Sequence, residues 1–116
     1  MEEEKKLDEY SREDVVERPK NETREGAVVD VEMTTAKAIF GDNLLPKQDP
    51  DRRMINVTYE IAELGLRGSK AITFFPPGAV PSNSGLGKFL KRYGSLKPGT
   101  LVKVDFDAEG KYNLLL

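Results

Sequence analysis

Residues 55–61 alternate strictly between apolar and polar side chains, and this alternation constrains the fold more than any other feature of the chain. A period of two sends successive side chains to opposite faces of a β-strand. The core face of this strand would carry Ile55, Val57, Tyr59 and Ile61. A chain with this pattern must build a sheet that buries one face.

Four further segments have the composition of strands and are separated by glycine, proline and aspartate turns. They are residues 27–33, 69–75, 102–106 and 111–116. In the second of them we place Ile72 and Phe74 toward the core, although Phe75 is equally apolar.

One amphipathic helix is predicted before the fourth strand. Its apolar residues follow the i, i+3, i+4, i+7 spacing of a helix face, namely Leu86, Phe89, Leu90 and Tyr93. Ser84 is a suitable N-cap and Gly94 a suitable end. A short helical turn is also predicted at 34–41, where a threonine precedes helix-tolerant residues and a glycine.

The element order is therefore β-β-β-α-β-β, with one helix between strands three and four. This is the order of the five-stranded oligonucleotide/oligosaccharide-binding (OB) barrel, so we predict a mainly β, OB-like barrel over residues 25–116. A small open sheet or split barrel of the SH3 or Sm kind is the alternative. Residues 1–24 contain few large apolar side chains and are predicted to be a flexible charged tail.

Charge is distributed unevenly between the tail and the body. Ten of the 20 acidic residues but only six of the 18 basic residues lie in residues 1–25, so this segment has a net charge of −4 and the remainder +2. A mildly positive body is compatible with a polyanion partner. The acidic tail is then a candidate competitor for that partner, or a merely solubilising terminus.

The chain contains no cysteine and no histidine. Thiolate nucleophiles, disulfides, Cys/His zinc sites and the commonest general base are thereby excluded, so we expect a non-enzymatic protein without a cofactor or metal. The first residues are acidic rather than typical of a signal peptide, and no long apolar run occurs. We expect a cytoplasmic monomer that does not bind membranes.

Three stretches, TTAKAIFGD, SNSGLGKFLKRYG and KPGTLVKVDFDAEGKYNLLL, resemble short uncharacterised proteins of hyperthermophilic archaea and their viruses or plasmids. The resemblance spans about residue 26 to the last residue and rests on strand, cap and turn motifs. It implies an OB-like domain with a role in handling nucleic acid, and it provides no site residues.

An OB barrel binds single strands on the outer face of strands two and three and on adjacent loops, using cations and stacking aromatics. The candidate nucleic-acid-binding residues are Arg52, Arg53, Asn56, Thr58, Arg67, Lys70, Thr73 and Phe75. Nearby acidic residues weaken the positive potential of this surface. Each cation taken alone is also explained as an ordinary solvent-exposed side chain. Phe75 fits core packing as well as it fits base stacking.

A second basic patch of Lys88, Lys91 and Arg92 shares one face of the predicted helix, within a wider basic set that adds Lys97, Lys103 and Lys111. A phosphate or an acidic segment could lie along it, although the wet side of an amphipathic helix explains the same residues. The glycines around Leu86 lack phosphate-loop spacing and fit a helix cap.

The leading functional hypothesis is weak binding of single-stranded DNA or RNA with little sequence specificity. The alternative is a protein-interaction adaptor that uses the barrel as a scaffold, with the proline-rich loop 75–81 or the acidic tail as the docking element.

Overall fold

The computed structural model describes residues 7–116. Five antiparallel strands form one sheet that curls into a nearly closed barrel. The strands are β1 (Glu22–Thr35), β2 (Arg53–Ile61), β3 (Leu66–Thr73), β4 (Leu101–Phe106) and β5 (Tyr112–Leu114). The helices are α1 (Ala36–Phe40) and α2 (Gly85–Tyr93).

The order of strands across the sheet is β3-β2-β1-β4-β5, so β3 and β5 are its two edges. These edges meet through side chains. The Tyr112 hydroxyl donates to the Arg67 carbonyl oxygen at 3.0 Å. The Lys70 ammonium donates to Asn113 Oδ1 at 3.3 Å. We call this junction the β3/β5 seam.

The core face predicted for residues 55–61 is confirmed, because all four of its apolar side chains are buried. The alternation in β4 is confirmed in the same way, with Val102, Val104 and Phe106 inside the barrel. Phe89 of α2 is fully buried among them. Burial of each large apolar side chain stabilises the fold by about 1.5–3 kcal/mol.

Residues 7–116 contain two α-helices, where the predicted fold has one helix and a short helical turn at 34–41. The predicted helix is present as α2, where Ser84 Oγ accepts from the Gly87 N–H at 3.0 Å. The second is α1, because the Thr35 hydroxyl accepts from the Ala38 N–H at 3.2 Å and caps a complete turn. No helix within residues 7–116 is both long enough and apolar enough to cross a membrane.

All five strands have bounds different from those predicted: β5 is shorter, and β1 and β3 begin several residues earlier. β1 begins at Glu22, because the polar residues before Gly26 pair through their backbone with β4. β3 begins at Leu66 and includes Gly68, which precedes the predicted strand 69–75. A Cβ at Gly68 would lie only 2.6 Å from the Tyr59 hydroxyl oxygen, so the glycine makes room for the tyrosine ring.

The segment before β1 makes its contacts with the last hairpin. The Arg18 guanidinium lies 5.5 Å from the centroid of the Tyr112 ring, and Pro19 is buried. The Asn21 N–H donates to the Asp107 carbonyl at 3.1 Å. Mobility of residues 1–24 stays a prediction, and residues 1–6 lie outside the described part of the chain.

Stability at alkaline pH should depend on Tyr59. Burial raises the pKa of its phenol, the neighbouring Tyr112 raises this pKa further, and a backbone hydrogen bond with Leu114 opposes both. Since the folded-state pKa exceeds the unfolded value of about 10, this contribution is complete below about pH 10 and is lost as pH rises through the raised pKa. Urea unfolding at neutral pH and above pH 10 should show a smaller alkaline loss for Tyr59→Phe than for the native chain. Substitution of the exposed Tyr10 by Phe is the control and should leave the alkaline loss unchanged.

Candidate nucleic-acid interface

The outer face of β2 and β3 carries three of the predicted nucleic-acid-binding residues in cross-strand rows. Asn56 lies opposite Ala71, Thr58 opposite Ser69, and Glu60 opposite Arg67. The Arg67 guanidinium forms an ion pair with the Glu60 carboxylate at 2.9 Å. This cation is thus partly neutralised on its own face.

The neighbouring strand adds negative charge to this face. Asp30 of β1 lies opposite Thr58, and Glu32 lies opposite Asn56. Both acids are exposed, and neither forms an ion pair with any residue of the described chain. Two unpaired carboxylates beside the candidate polar residues repel phosphate.

The other two arginines of the predicted set lie at the opposite end of the hairpin. Arg53 opens β2, and its guanidinium lies 5.8 Å from the centroid of the Phe74 ring. Arg52 is half-buried, its carbonyl accepts from the Ala36 N–H at 2.9 Å, and its Nε has no hydrogen-bond partner among residues 7–116. Arg53 and Glu60 are seven positions apart on β2, a distance of about 23 Å along a strand. Glu60 is the ion-pair partner of Arg67. The structure does not bring these arginines together.

The remaining three predicted residues have separate surroundings. Lys70 lies opposite Val57, at an inward position, and reaches across the β3/β5 seam. Thr73 contacts the Met54 sulfur at 3.8 Å. Phe75 follows the end of β3 and packs, half-buried, against the core. These positions form a dispersed set rather than a continuous groove.

The second basic patch is compact. The buried face of α2 holds Leu86 and Phe89, which leaves Lys88, Lys91 and Arg92 exposed on the other side. These three cations and Leu116 line a surface cavity of about 300 Å³. The Arg92 guanidinium is oriented by two hydrogen bonds to the Leu116 carbonyl oxygen, at 3.3 Å from Nε and 3.1 Å from Nη2.

A second cavity of about 350 Å³ adjoins the first, because Arg92 lines both. It extends the surface to Lys103 of β4 and to Glu25 of β1. Lys103 Nζ lies 3.8 Å from the Glu25 carboxylate. We call Lys88, Lys91, Arg92 and Lys103 the α2 cation cluster; the Glu25 side chain lines the second cavity beside it.

Tyr93 holds the two sides of this cluster together. Its hydroxyl accepts from the Lys103 N–H at 3.2 Å and donates to the Leu115 carbonyl oxygen. Its ring packs edge-on against Phe89, with the ring centroids 4.9 Å apart. The end of α2 is therefore fixed to β4 and to the segment after β5.

Sequence reasoning did not weigh two acids that shape the electrostatics. Asp30 and Glu32 occupy alternate positions in the strand predicted at 27–33, and this alternation already places them on its wet face. Their position beside Thr58 and Asn56 depends on the β1–β2 register, which includes a bulge between Val28 and Asp30. The bulge has no local sequence signal.

Comparisons with protein-family models, with curated proteins and with solved structures return no match. The resemblance to small archaeal proteins therefore stays a prediction, and the function must be argued from the barrel and its charges.

Proposed function

We propose that this chain is a non-enzymatic binding domain of the OB type that binds single-stranded DNA or RNA weakly and with little sequence preference. The strand order supports the OB assignment, since β1 pairs with both β2 and β4 while β3 faces β5 and α2 connects β3 to β4. The observation that carries the binding proposal is the α2 cation cluster, where four cationic side chains and one acidic side chain, Glu25, line two adjoining cavities.

The chemistry of this cluster fits a phosphate backbone. Lysine ammonium groups and an arginine guanidinium bind phosphate oxygens without reading bases, so affinity should depend on charge and not on sequence. Arg92 is already oriented by Leu116, which lowers the entropy lost when it contacts an anion. The outer face of β2 and β3 is a weaker candidate because Asp30 and Glu32 lie on it.

Titration of labelled single-stranded oligonucleotides over a salt series tests the proposal. Four phosphate contacts, one for each cation of the α2 cation cluster, predict a slope of log affinity against log salt of about −3 for a single strand. Oligonucleotides of different sequence should bind with similar affinity, and a duplex of equal length should serve as the comparison. Absence of binding at low salt, or binding insensitive to salt, would refute the backbone-contact mechanism.

The adaptor hypothesis remains the second candidate, and one feature favours it. Pro76, Pro77 and Ala79 are exposed in a turn closed by a 3.0 Å hydrogen bond from the Ala79 N–H to the Pro76 carbonyl. Phe75 and Val80 flank this turn, half-buried against the core, so a partner would contact a rigid proline surface.

Removal of the acidic tail should tighten oligonucleotide binding. The tail carries excess negative charge and is tethered to the same domain as the α2 cation cluster, so we expect it to compete with phosphate at high effective concentration. A chain beginning at Glu17 keeps the Arg18 contact and all of β1. Its affinity should rise by at most about tenfold at low salt, and the gain should fade as salt rises. Equal affinities of the two chains throughout the series would show that the tail is only solubilising.

A further inference from the structure

Half of β1 has an unpaired backbone edge. The pairing of β1 with β4 ends at Ala27, and the last backbone hydrogen bonds on this side join Val28 to Gly99 and Thr100. From Asp30 to Thr35, β2 is the sole neighbouring strand within the described chain. An edge of this kind is a template for the addition of another strand.

The side chains along this edge alternate in character. Asp30 and Glu32 project on one face and are exposed. Val31 and Met33 project on the other, where Val31 is half-buried and Met33 is 50% exposed. A strand added here would place its own alternate side chains beside two carboxylates and beside two apolar groups.

We propose that the edge of β1 from Asp30 to Thr35 binds an extended peptide in which basic and apolar residues alternate. Backbone hydrogen bonds supply affinity, and the alternating side chains supply specificity. The basic residues of the peptide lie beside Asp30 and Glu32, and its apolar residues lie beside Val31 and Met33. This surface is separate from the α2 cation cluster, and the proposal does not depend on nucleic-acid binding.

Charge complementarity decides between possible occupants. A second copy of this chain, paired antiparallel through the same edge, would bring Asp30 and Glu32 of one copy beside those of the other, and like charges opposite one another are destabilising. The tail of this chain begins with glutamates at positions 2–4 and has the wrong charge. A nucleic acid is excluded for the same reason. A basic peptide is the occupant that this edge attracts.

The test uses the full chain and a labelled six-residue peptide of alternating lysine and valine, followed by fluorescence anisotropy. We expect saturable binding at low salt. The same peptide with alternate backbone amides methylated keeps its side chains but loses strand hydrogen bonds, and it should bind at least about tenfold more weakly. Equal affinity of the methylated peptide, or no saturable binding of the parent peptide, would overturn the proposal.

Reversal of the two charges on the β1 edge tests whether the peptide binds there. The variant Asp30→Lys/Glu32→Lys should lose about tenfold in affinity for the lysine peptide and should gain binding of a peptide of alternating glutamate and valine. The variant Glu13→Lys/Glu17→Lys makes the same change of net charge at exposed positions before β1 and should leave both affinities unchanged. Equal losses in the two variants would show that only net charge matters.

Sedimentation of the chain alone tests whether a second copy of the chain occupies this edge instead. We expect a monomer. A dimer that Met33→Lys converts to monomer would show that a second copy covers this edge, and it would overturn the peptide proposal.

Discussion

Substitution of Gly87 by alanine should destabilise the fold by about 2–3 kcal/mol, the upper part of the range for overpacked sites. A Cβ on Gly87 would overlap the Pro81 carbonyl oxygen and would lie 3.0 Å from Ser82 Cα. Both obstacles are backbone, which cannot rotate away as a side chain would. The Pro81 carbonyl also accepts from the Ser84 hydroxyl at 2.7 Å, so its displacement would disturb the N-cap of α2.

Gly85→Ala is the matched control in the same helix. Its Cβ would lie 3.4 Å from Ile72 Cγ2, an ordinary contact with the end of a side chain. We expect a change in the free energy of unfolding within about 0.5 kcal/mol, measured for both variants by urea denaturation. A Gly87→Ala protein as stable as Gly85→Ala would contradict the close approach of the proline loop to α2.

Reversal of two charges in the α2 cation cluster should weaken oligonucleotide binding about tenfold to a hundredfold at low salt. The variant Lys88→Glu/Lys91→Glu removes two ammonium groups from the cavity and introduces two carboxylates that repel phosphate. Arg92 is left in place because it also bonds to Leu116. The salt dependence should fall together with the affinity, since fewer phosphates are contacted.

The control for this variant is Lys37→Glu/Lys47→Glu, which makes the same change of net charge in the segment between β1 and β2. Both lysines are exposed. We expect affinity within about threefold of the native chain, because distant exposed charges are screened. A larger loss of affinity in the control than in the α2 variant would indicate that the oligonucleotide binds instead at the first loop and the neighbouring Arg52 and Arg53.

The sequence predicted those elements whose signal is local. The alternation at residues 55–61 identified the inward side chains of β2, because a strand buried on one face has apolar residues at every second position. The helix spacing together with Ser84 and Gly94 gave α2 its correct limits for the same reason.

The electrostatics of β2 and β3 could not be predicted in this way. Whether Arg67 meets Glu60 depends on the hairpin register, which is set by the turn at residues 62–65. The inward position of Lys70 follows from the same register, and it places a lysine at the seam. The alternation of residues 69–75 also could not decide which of Phe74 and Phe75 points toward the core. Both pack against the core after β3 has ended.

The α2 patch was easier to predict because helix geometry alone brings Lys88, Lys91 and Arg92 to one face. The contribution of Lys103 to the same cavities required the tertiary contact made by Tyr93. Helix geometry therefore located three of the four cations, and packing brought Lys103, predicted only as part of the wider basic set, into the same cavities.

Because side-chain contacts, not backbone pairing, join β3 to β5, the barrel should open first at this seam. β5 has three residues and pairs with β4 alone, and its link to β3 joins Arg67 and Tyr112, which are 45 positions apart in the chain. So short a strand is held by few backbone hydrogen bonds, so we expect β5 to be the first strand to exchange its amide hydrogens. Because Leu115 and Leu116 follow β5 and accept from Tyr93 and Arg92, local opening of this strand would also release the end of α2. We thus expect the most labile strand of the barrel to be the one that supports the α2 cation cluster.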